Sequence, residues 1–216
     1  MRTRVVTVSS RDPNGRYAQQ SAAAVRASLP SGAEFVVVRS SGTPQGWITE
    51  LWGACEGADA VAFVDDDDLV VPGALQRCAD AIEHGGAGLA FTDEDEIDED
   101  GARLGPGQRG PRRLMDLAMH PRCAHHLAVF RPALVPHEAL LVAQQCGIGL
   151  DWLMRAAAGL RGGAVHVPVV GYQWRRHLGQ NSSTAAVQYR NAMPTLRAAT
   201  RSWLKYDEGI PHAPSH

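Results

Sequence analysis

The sequence predicts a single-domain α/β protein with a mostly parallel central sheet flanked by helices. Short apolar runs alternate with helix-like segments through the first hundred residues. Most of these runs are apolar throughout, as in strands that are buried on both faces. A length of 216 residues with 44% apolar and 20% charged side chains is enough for one domain with a substantial core, and it excludes a disordered chain.

The first hundred residues contain four predicted strands and three predicted helices. The strands are predicted at residues 5–8, 34–38, 60–64 and 88–92, and the helices at residues 17–29, 48–56 and 74–83. Pro30 ends the first helix, residues 40–42 form a turn, and Pro72 favours the start of the third helix. This order of strand, helix and strand is typical of a parallel sheet.

The second half of the chain has a less regular pattern. Strands are predicted at residues 125–130 and 165–169, and helices at residues 150–160 and 188–203. Residues 105–113 are rich in Gly, Pro and Arg, which indicates a mobile loop. Residues 208–216 are predicted to form a flexible tail.

Charge is distributed unevenly along the chain, although the net charge is only −2. Residues 1–100 contain 18 acids and 7 bases, whereas residues 101–216 contain 5 acids and 14 bases. No apolar run approaches the ~20 residues of a membrane span, the N-terminus lacks a signal-peptide core, and the four cysteines form no CxxC pair. We expect no membrane span, no nucleic-acid partner, no zinc or disulfide scaffold, and a cytoplasmic location.

Four consecutive carboxylates, Asp65, Asp66, Asp67 and Asp68, directly follow the third predicted strand. In an open α/β sheet, ligands bind beyond the carboxyl ends of the strands. Four adjacent carboxylates repel one another unless solvent or a cation relieves the repulsion, and Mg²⁺ and Mn²⁺ prefer oxygen ligands. The run therefore indicates a divalent-cation site, with a solvated acidic turn as the alternative.

A second acidic stretch covers residues 93–100. It does not fit an EF-hand loop, because Gly107 stands where the bidentate Glu is required. Asp93, Glu94 and Asp95 lie just beyond the fourth predicted strand and could border an acceptor site. The Asp-Gly pair that follows favours a charged hairpin at residues 98–100.

Asp151 is a candidate because it opens the predicted helix at residues 150–160. The helix dipole alone would favour a carboxylate at this position, which is the structural alternative. Trp152 follows on an apolar face, which indicates a place in the core.

Three basic residues, Arg175, Arg176 and His177, follow the strand-like run at residues 165–169. Guanidinium groups suit a diphosphate, and an imidazole can complete a metal shell. Basic residues at the exit of a strand are equally common as surface residues, so both interpretations stay open at this point.

Taken together, these segments resemble family 2 glycosyltransferases with the GT-A fold. The resemblance is carried by the D-x-D-D-x-x-x-P block at residues 65–72 and by segments at residues 91–101, 126–131 and 166–177. It implies a GT-A, Rossmann-like fold and an inverting transfer of a sugar from a nucleotide-diphosphate sugar. The acceptor would be a hydroxyl or amine of a small molecule, a glycan or a peptide-like group, with Mn²⁺ or Mg²⁺ as the cofactor.

The resemblance also implies roles for single residues. Residues 1–100 would form the half that binds the donor and the metal, and residues 101–207 the acceptor-binding and catalytic half. The implied metal ligands are Asp67 and His177, the implied donor contacts are Asp65, Asp66, Arg175, Arg176, Ser9 and Arg39, and the implied acceptor-side residues are Asp93, Glu94, Asp95 and Trp152. Asp151 would be the general base.

Two departures from the family pattern leave alternatives open. Arg39 stands where the family has the acid that contacts the nucleotide base, so the identity of that base is open. When the family's "eDwdlwlR" segment is aligned on its first Asp, Asp151 is the base; when it is aligned on the final Arg, Gly149 takes that position. The first alignment keeps the Asp-Trp pair and a carboxylate at the base position.

Two other functions are alternatives to glycosyl transfer. One is a non-catalytic relative that binds nucleotide and assists a partner enzyme, which the two departures motivate. The other is a sugar-phosphate nucleotidyltransferase, which also uses paired acids on a metal. Residues 9–15 contain a single glycine, so they do not form the glycine-rich phosphate loop that would favour it.

Overall fold

The computed structural model describes residues 1–9, 15–39, 43–107, 109–110, 113–125, 127–178, 181–204, 210–211 and 213, and within them it forms one α/β domain. The strands are β1 (Thr3–Ser9), β2 (Glu34–Arg39), β3 (Ala60–Asp65), β4 (Leu69–Val70), β5 (Leu89–Ile97), β6 (Arg103–Pro106), β7 (Ala128–Phe130) and β8 (Ala164–Arg175). The helices are α1 (Arg16–Ser28), α2 (Pro44–Gly53), α3 (Ala74–Gly85), α4 (Leu114–Met119), α5 (His137–Cys146), α6 (Leu150–Gly162) and α7 (Asn181–Trp203).

The sheet has the strand order β2-β1-β3-β7-β5-β8-β4. β6 lies outside this order and pairs with the end of β5, at residues 95–97. β1 pairs in parallel with β2 and β3, and β5 pairs in parallel with β8. β7 is antiparallel to both β3 and β5, so those two strands point the same way and end at the same edge of the sheet. The predicted α/β fold with a mostly parallel sheet is confirmed.

Two apolar clusters cover the two faces of this sheet. Because successive side chains of a strand point to opposite faces, β3 contributes Val61 and Phe63 to one cluster and Ala62 and Val64 to the other. The first cluster is covered mainly by α2, α4, α5, α6 and α7, and the second by α1 and α3. Burial on both faces explains why the sequence of β3 is apolar without alternation.

The predicted strands and helices of the first half are present, with shifted ends. β5 and β8 are longer than predicted, and helices α4 and α5 and the short strand β4 were not predicted. The hairpin predicted at residues 98–100 is confirmed: β5 and β6 pair in antiparallel fashion, and Gly101 adopts a φ of 92° at the turn. The predicted turn at residues 40–42 lies outside the described residues.

Two segments that were predicted to be mobile make defined contacts where they are described. In the segment 105–113, Gly107 and Gly110 donate backbone hydrogen bonds to β5, because this segment returns across that strand. In the tail, the backbone N–H of His166 donates to the carbonyl of Pro211, and the N–H of Ala213 donates to the carbonyl of His166. Among the described residues, no helix is both long and apolar enough to cross a bilayer.

Candidate functional site

The acidic run leaves the sheet at the carboxyl end of β3. Asp65 is the last residue of that strand and is exposed, Asp66 and Asp67 are half-buried, and Asp68 is completely buried. One carboxylate oxygen from each of Asp65, Asp67 and Asp68 lies within 4.8 Å of the other two. The turn therefore gathers three like charges in one small volume, and it does so at the edge where ligands of α/β sheets bind.

Residues of strand β8 donate hydrogen bonds to the carboxyl group of Asp68. Its Oδ1 accepts a hydrogen bond of 2.7 Å from the backbone N–H of Arg175, and the hydroxyl of Tyr172 also donates to this carboxyl group. Its Oδ2 is buried and has no hydrogen-bond partner among the described residues. Burial, followed by the charges of Asp65 and Asp67, raises the pKa of Asp68 well above its usual range.

The donor set fits a hard divalent cation. Buried polar atoms are almost always paired, so the unpartnered Oδ2 of Asp68 beside two other carboxylates indicates a position where a cation completes the set. Burial, and next the charge of Asp65, also raises the pKa of Asp67. Carboxylate oxygens are the preferred protein ligands of Mg²⁺ and Mn²⁺, and a cation would reverse both effects.

Two of the residues predicted to bind metal lie side by side. Nε2 of His177 is 2.9 Å from Oδ2 of Asp67, although 110 positions separate them in the sequence. The ring of Tyr17 packs against His177 with 5.1 Å between the ring centroids. Sequence reasoning assigned no role to Asp68, Tyr172 or Tyr17; the position of Asp68 in the acidic run was the available signal.

Arg175 is buried and is used to hold the acidic turn. Its Nε donates to the carbonyl of Asp67 at 2.8 Å, and its Nη1 donates to the carbonyls of Asp98 and Glu99 at 3.2 and 2.9 Å. Its Nη2 donates to Oε1 of Gln20 on α1 at 3.1 Å. All three nitrogens of the guanidinium are thus engaged, and they join the end of β3, the β5–β6 turn and the first helix.

The neighbouring Arg176 has a different environment. Its side chain is exposed, its guanidinium carbon lies 4.4 Å from the centroid of the Trp174 ring, and its Nε is 3.8 Å from a carboxylate oxygen of Glu96. A second exposed guanidinium, that of Arg122, lies 5.3 Å from the same centroid. Of the two adjacent arginines, Arg176 is the one whose charge faces solvent.

Asp151 lies in the first turn of α6, and the buried Arg155 is one helical turn further on. Nη2 of Arg155 donates to Oδ2 of Asp151 at 2.7 Å. Burial raises the pKa of Tyr189 on α7. The negative charge of Asp151 acts in the same direction, and so does that of Asp65. Asp151 and the acidic run therefore both act on one tyrosine hydroxyl.

The stretch Asp93–Asp95 anchors the return segment of residues 107–110. Oδ1 of Asp93 accepts from the N–H of Gly110 at 3.1 Å and lies 3.0 Å from Nε2 of His166. The carbonyl of Glu94 accepts from the N–H of Gly107 at 3.0 Å. These carboxyl groups lie where β5 pairs with β8 through two register shifts.

Asp95 is held by two arginines, Arg103 of β6 and Arg109 of the return segment. Arg103 donates to both of its oxygens, and Nη2 of Arg109 donates to Oδ1 at 3.1 Å. The hydrogen bonds from Arg103 lower the pKa of Asp95, and those from Arg109 act in the same direction. The acceptor-side roles of Asp93, Glu94 and Asp95 stay predictions.

The remaining candidates are Trp152, Arg39 and Ser9. Trp152 is 1% exposed, and its Nε1 donates to the carbonyl of Leu117 at 2.9 Å, in keeping with the core position that its apolar surroundings predict. Arg39 is exposed at the end of the edge strand β2, paired in register with Ser9 of β1. The side chain of Ser9 lies outside the described part of the chain.

Comparison with solved structures finds the same fold in S. aureus TarS. TarS 1-349 aligns with a TM-score of 0.62 at 14% identity over 92% of this chain and 65% of that chain. The same fragment in complex with UDP-GlcNAc gives 0.63 at 15% identity over 92% and 66%, and in complex with UDP it gives 0.59 at 13% over 92% and 65%.

The chain spans just under two thirds of TarS 1-349 and 39% of a longer TarS chain. No protein-family model and no curated protein sequence matches it. At these identities, the likeness to TarS shows a shared fold and does not assign a function.

Proposed function

We propose that this protein is a metal-dependent glycosyltransferase that moves a sugar from a nucleotide-diphosphate sugar to a hydroxyl or amine acceptor, with inversion. The observation that carries the proposal is the cluster of Asp65, Asp67 and Asp68 with its unpartnered buried oxygen, at the ligand-binding edge of the sheet. The shared fold supports it, because the solved TarS structures include complexes with UDP-GlcNAc and with UDP.

The acidic cluster and the basic residues beside it have complementary tasks in this reaction. A Mn²⁺ or Mg²⁺ ion held by Asp67 and its neighbours would supply positive charge to the departing diphosphate. Nε2 of His177 lies 2.9 Å from Oδ2 of Asp67 and would orient this carboxylate. Arg176 is exposed close by in sequence and provides a guanidinium suited to phosphate oxygens. Asp65 and Asp66 would contact the ribose or the sugar.

Asp151 would accept the proton of the acceptor group. A carboxylate is a suitable general base for a hydroxyl whose oxygen attacks the anomeric carbon, because the proton leaves as the new bond forms. Attack from the face opposite the diphosphate inverts the configuration at that carbon. The salt bridge with Arg155 engages Oδ2 of Asp151, and we assign Oδ1 to the acceptor proton.

The test is the release of nucleoside diphosphate from a panel of nucleotide sugars, beginning with UDP-GlcNAc, in Mn²⁺ and in EDTA. Asp67→Asn should abolish turnover and the Mn²⁺ dependence of UDP binding, because it removes a charged ligand of the cation. Asp80→Asn is the matched control, since Asp80 lies on α3 and its Oδ1 accepts a hydrogen bond from Gln76 that the Oδ1 of Asn also accepts. Turnover that is unchanged in Asp67→Asn contradicts the metal assignment.

The same panel separates the proposal from the two alternatives. UDP binding without release from any donor, and without transfer, would favour a non-catalytic binding protein. Formation of pyrophosphate from a sugar phosphate and a nucleoside triphosphate would identify a nucleotidyltransferase. Asp151→Asn should remove transfer and leave donor binding intact; transfer that survives would assign the base to another group.

A further inference from the structure

The guanidinium of Arg155 is buried in the middle of α6, with 1% of the residue exposed. The residues next to it on the helix, Met154 and Ala156, belong to the larger apolar cluster. A buried cation is costly unless it is paired and hydrogen-bonded, so a long charged side chain at this position requires an explanation in terms of its partners.

Among the described residues, Arg155 has two hydrogen-bond partners, and they lie in different parts of the chain. Its Nη2 donates to Oδ2 of Asp151 at 2.7 Å, and its Nη1 donates to the backbone carbonyl of His125. Its Nε is buried and has no hydrogen-bond partner among the described residues. The guanidinium therefore uses its two outer nitrogens to join the start of α6 to the segment that precedes β7.

That segment is a strained turn. Ala124 has a φ of 51° and is the only described residue other than glycine with a positive φ, and it is buried. A left-handed conformation is unfavourable for alanine and persists only where the surroundings hold it. The hydrogen bond from Arg155 to the carbonyl of the next residue is one such restraint.

The turn places two side chains beside β5 and β8. Nδ1 of His125 is 3.9 Å from Oε2 of Glu94, and its ring packs edge-on against that of Trp174. Arg122, on the same turn, stacks on Trp174 as well. Arg155 thus joins the candidate base to a turn whose side chains pack against β5 and β8.

We infer that Arg155 is the positioning residue that fixes the Asp151 carboxylate and the turn at residues 121–125 relative to each other. This inference rests on the proposed function, since Asp151 is its general base. A planar guanidinium can hold a carboxylate and a carbonyl in two fixed directions at once, whereas the ammonium of lysine is a single point of charge. The candidate base and this turn are then held in one arrangement by one side chain.

The experiment measures nucleoside diphosphate release by wild type, Arg155→Lys, Asp151→Asn and the double variant, with the donor that gives turnover. Arg155→Lys should lower kcat by about a hundredfold, as expected for a displaced reacting group, and should leave the KM for the donor nearly unchanged. In the Asp151→Asn background, Arg155→Lys should cause no further loss. Arg161→Lys, at the exposed end of the same helix, is the matched control.

A purely structural role for Arg155 makes different predictions. In that case, Arg155→Lys would lower the melting temperature and leave kcat per folded molecule unchanged, or the effects of Arg155→Lys and Asp151→Asn would be independent. Either result overturns the inference. If Arg155→Lys does not fold, the same measurement is made in an Ala124→Gly background, where the turn is no longer strained. A wild type that releases no diphosphate from any donor refutes the proposed function as well, whereas a normal kcat in Arg155→Lys refutes only the positioning role.

Discussion

Replacing Asp68 by asparagine should stabilise the metal-free protein and abolish its response to Mn²⁺. Asparagine keeps Oδ1 as the acceptor for the N–H of Arg175, and it places an amide N–H₂ where the unpartnered Oδ2 stands beside two carboxylates. The substitution therefore removes a buried ionisable group without removing the hydrogen bond that positions the turn. The same change deletes a carboxylate from the proposed cation site.

The magnitude follows from the spacing of the carboxylates. Two charges 4.8 Å apart repel by about 3.5 kcal/mol at an effective dielectric constant of 20. Asp68 lies beside two such charges, but water screens the exposed Asp65, and Asp68 lowers the repulsion by keeping its proton. Asp68→Asn should therefore raise the free energy of unfolding by about 1–3 kcal/mol.

The pH dependence has a definite sign. The pKa of Asp68 is raised in the folded state, so this group does not lower the free energy of unfolding below the ordinary Asp pKa of about 3.9. As the pH rises above that value, the unfolded chain ionises while the folded carboxyl group keeps its proton, and stability is lost until the folded pKa is passed. The gain from Asp68→Asn should therefore be absent at low pH and should grow as the pH rises above the ordinary Asp pKa.

Thermal unfolding followed by circular dichroism, in EDTA and in Mn²⁺, is the assay. For a domain of this size, a gain of 1–3 kcal/mol raises the Tm in EDTA by about 2–12 °C. Wild type at a Mn²⁺ concentration of 100 times its Kd should gain about 2.7 kcal/mol, whereas Asp68→Asn should gain nothing. A variant that melts below wild type in EDTA, or that keeps the wild-type Mn²⁺ shift, would refute the reasoning.

Three further predictions concern the supports of the site. Gly110→Ala should lower the free energy of unfolding in urea by about 1–3 kcal/mol, because its Cβ would meet the Phe91 ring at 2.2 Å, whereas Gly105→Ala, with no atom within 4 Å, should be neutral. The lowered pKa of Asp95 implies that its stabilising contribution is complete above pH ~4 and is lost as the pH falls further. Acid unfolding should therefore be less steep in Asp95→Asn. Arg175→Lys should weaken Mn²⁺ binding by about 10–100-fold in calorimetry, as loss of a support for metal ligands does.

The position of the acidic run could be predicted from the sequence because it depends on one local rule. An apolar run without alternation is a central strand, and the residues directly after a parallel strand lie at the ligand-binding edge. β3 obeys this rule, with residues 60–64 buried and Asp65 exposed at its end. The contact between Asp67 and His177 joins distant segments, so it could be expected only through the family resemblance and not from spacing.

The full length of β8 could not be predicted from its own residues. Pro168 and Gly171 interrupt the apolar pattern, and the prediction therefore stopped at residue 169. The strand continues to Arg175 because two register shifts against β5 absorb the irregularity. Tertiary pairing thus decides where Tyr172 and Arg175 lie, and with them the support of the acidic turn.

Arg175 and Arg176 show why residue type and spacing alone do not assign a role. Arg175 is the last residue of β8 and Arg176 directly follows it, and both were candidate diphosphate contacts. Side chains of a strand alternate between its faces, so the two neighbours point to opposite sides. Arg175 enters the protein, where the carbonyls of the acidic turn and of the β5–β6 turn occupy its guanidinium.

The guanidinium of Arg176 stays at the surface, over the ring of Trp174. Since an arginine already committed to three backbone carbonyls cannot also bind a diphosphate without releasing them, any phosphate contact of this pair falls to Arg176. The contribution of Arg175 is then to fix the turn that carries the proposed cation ligands.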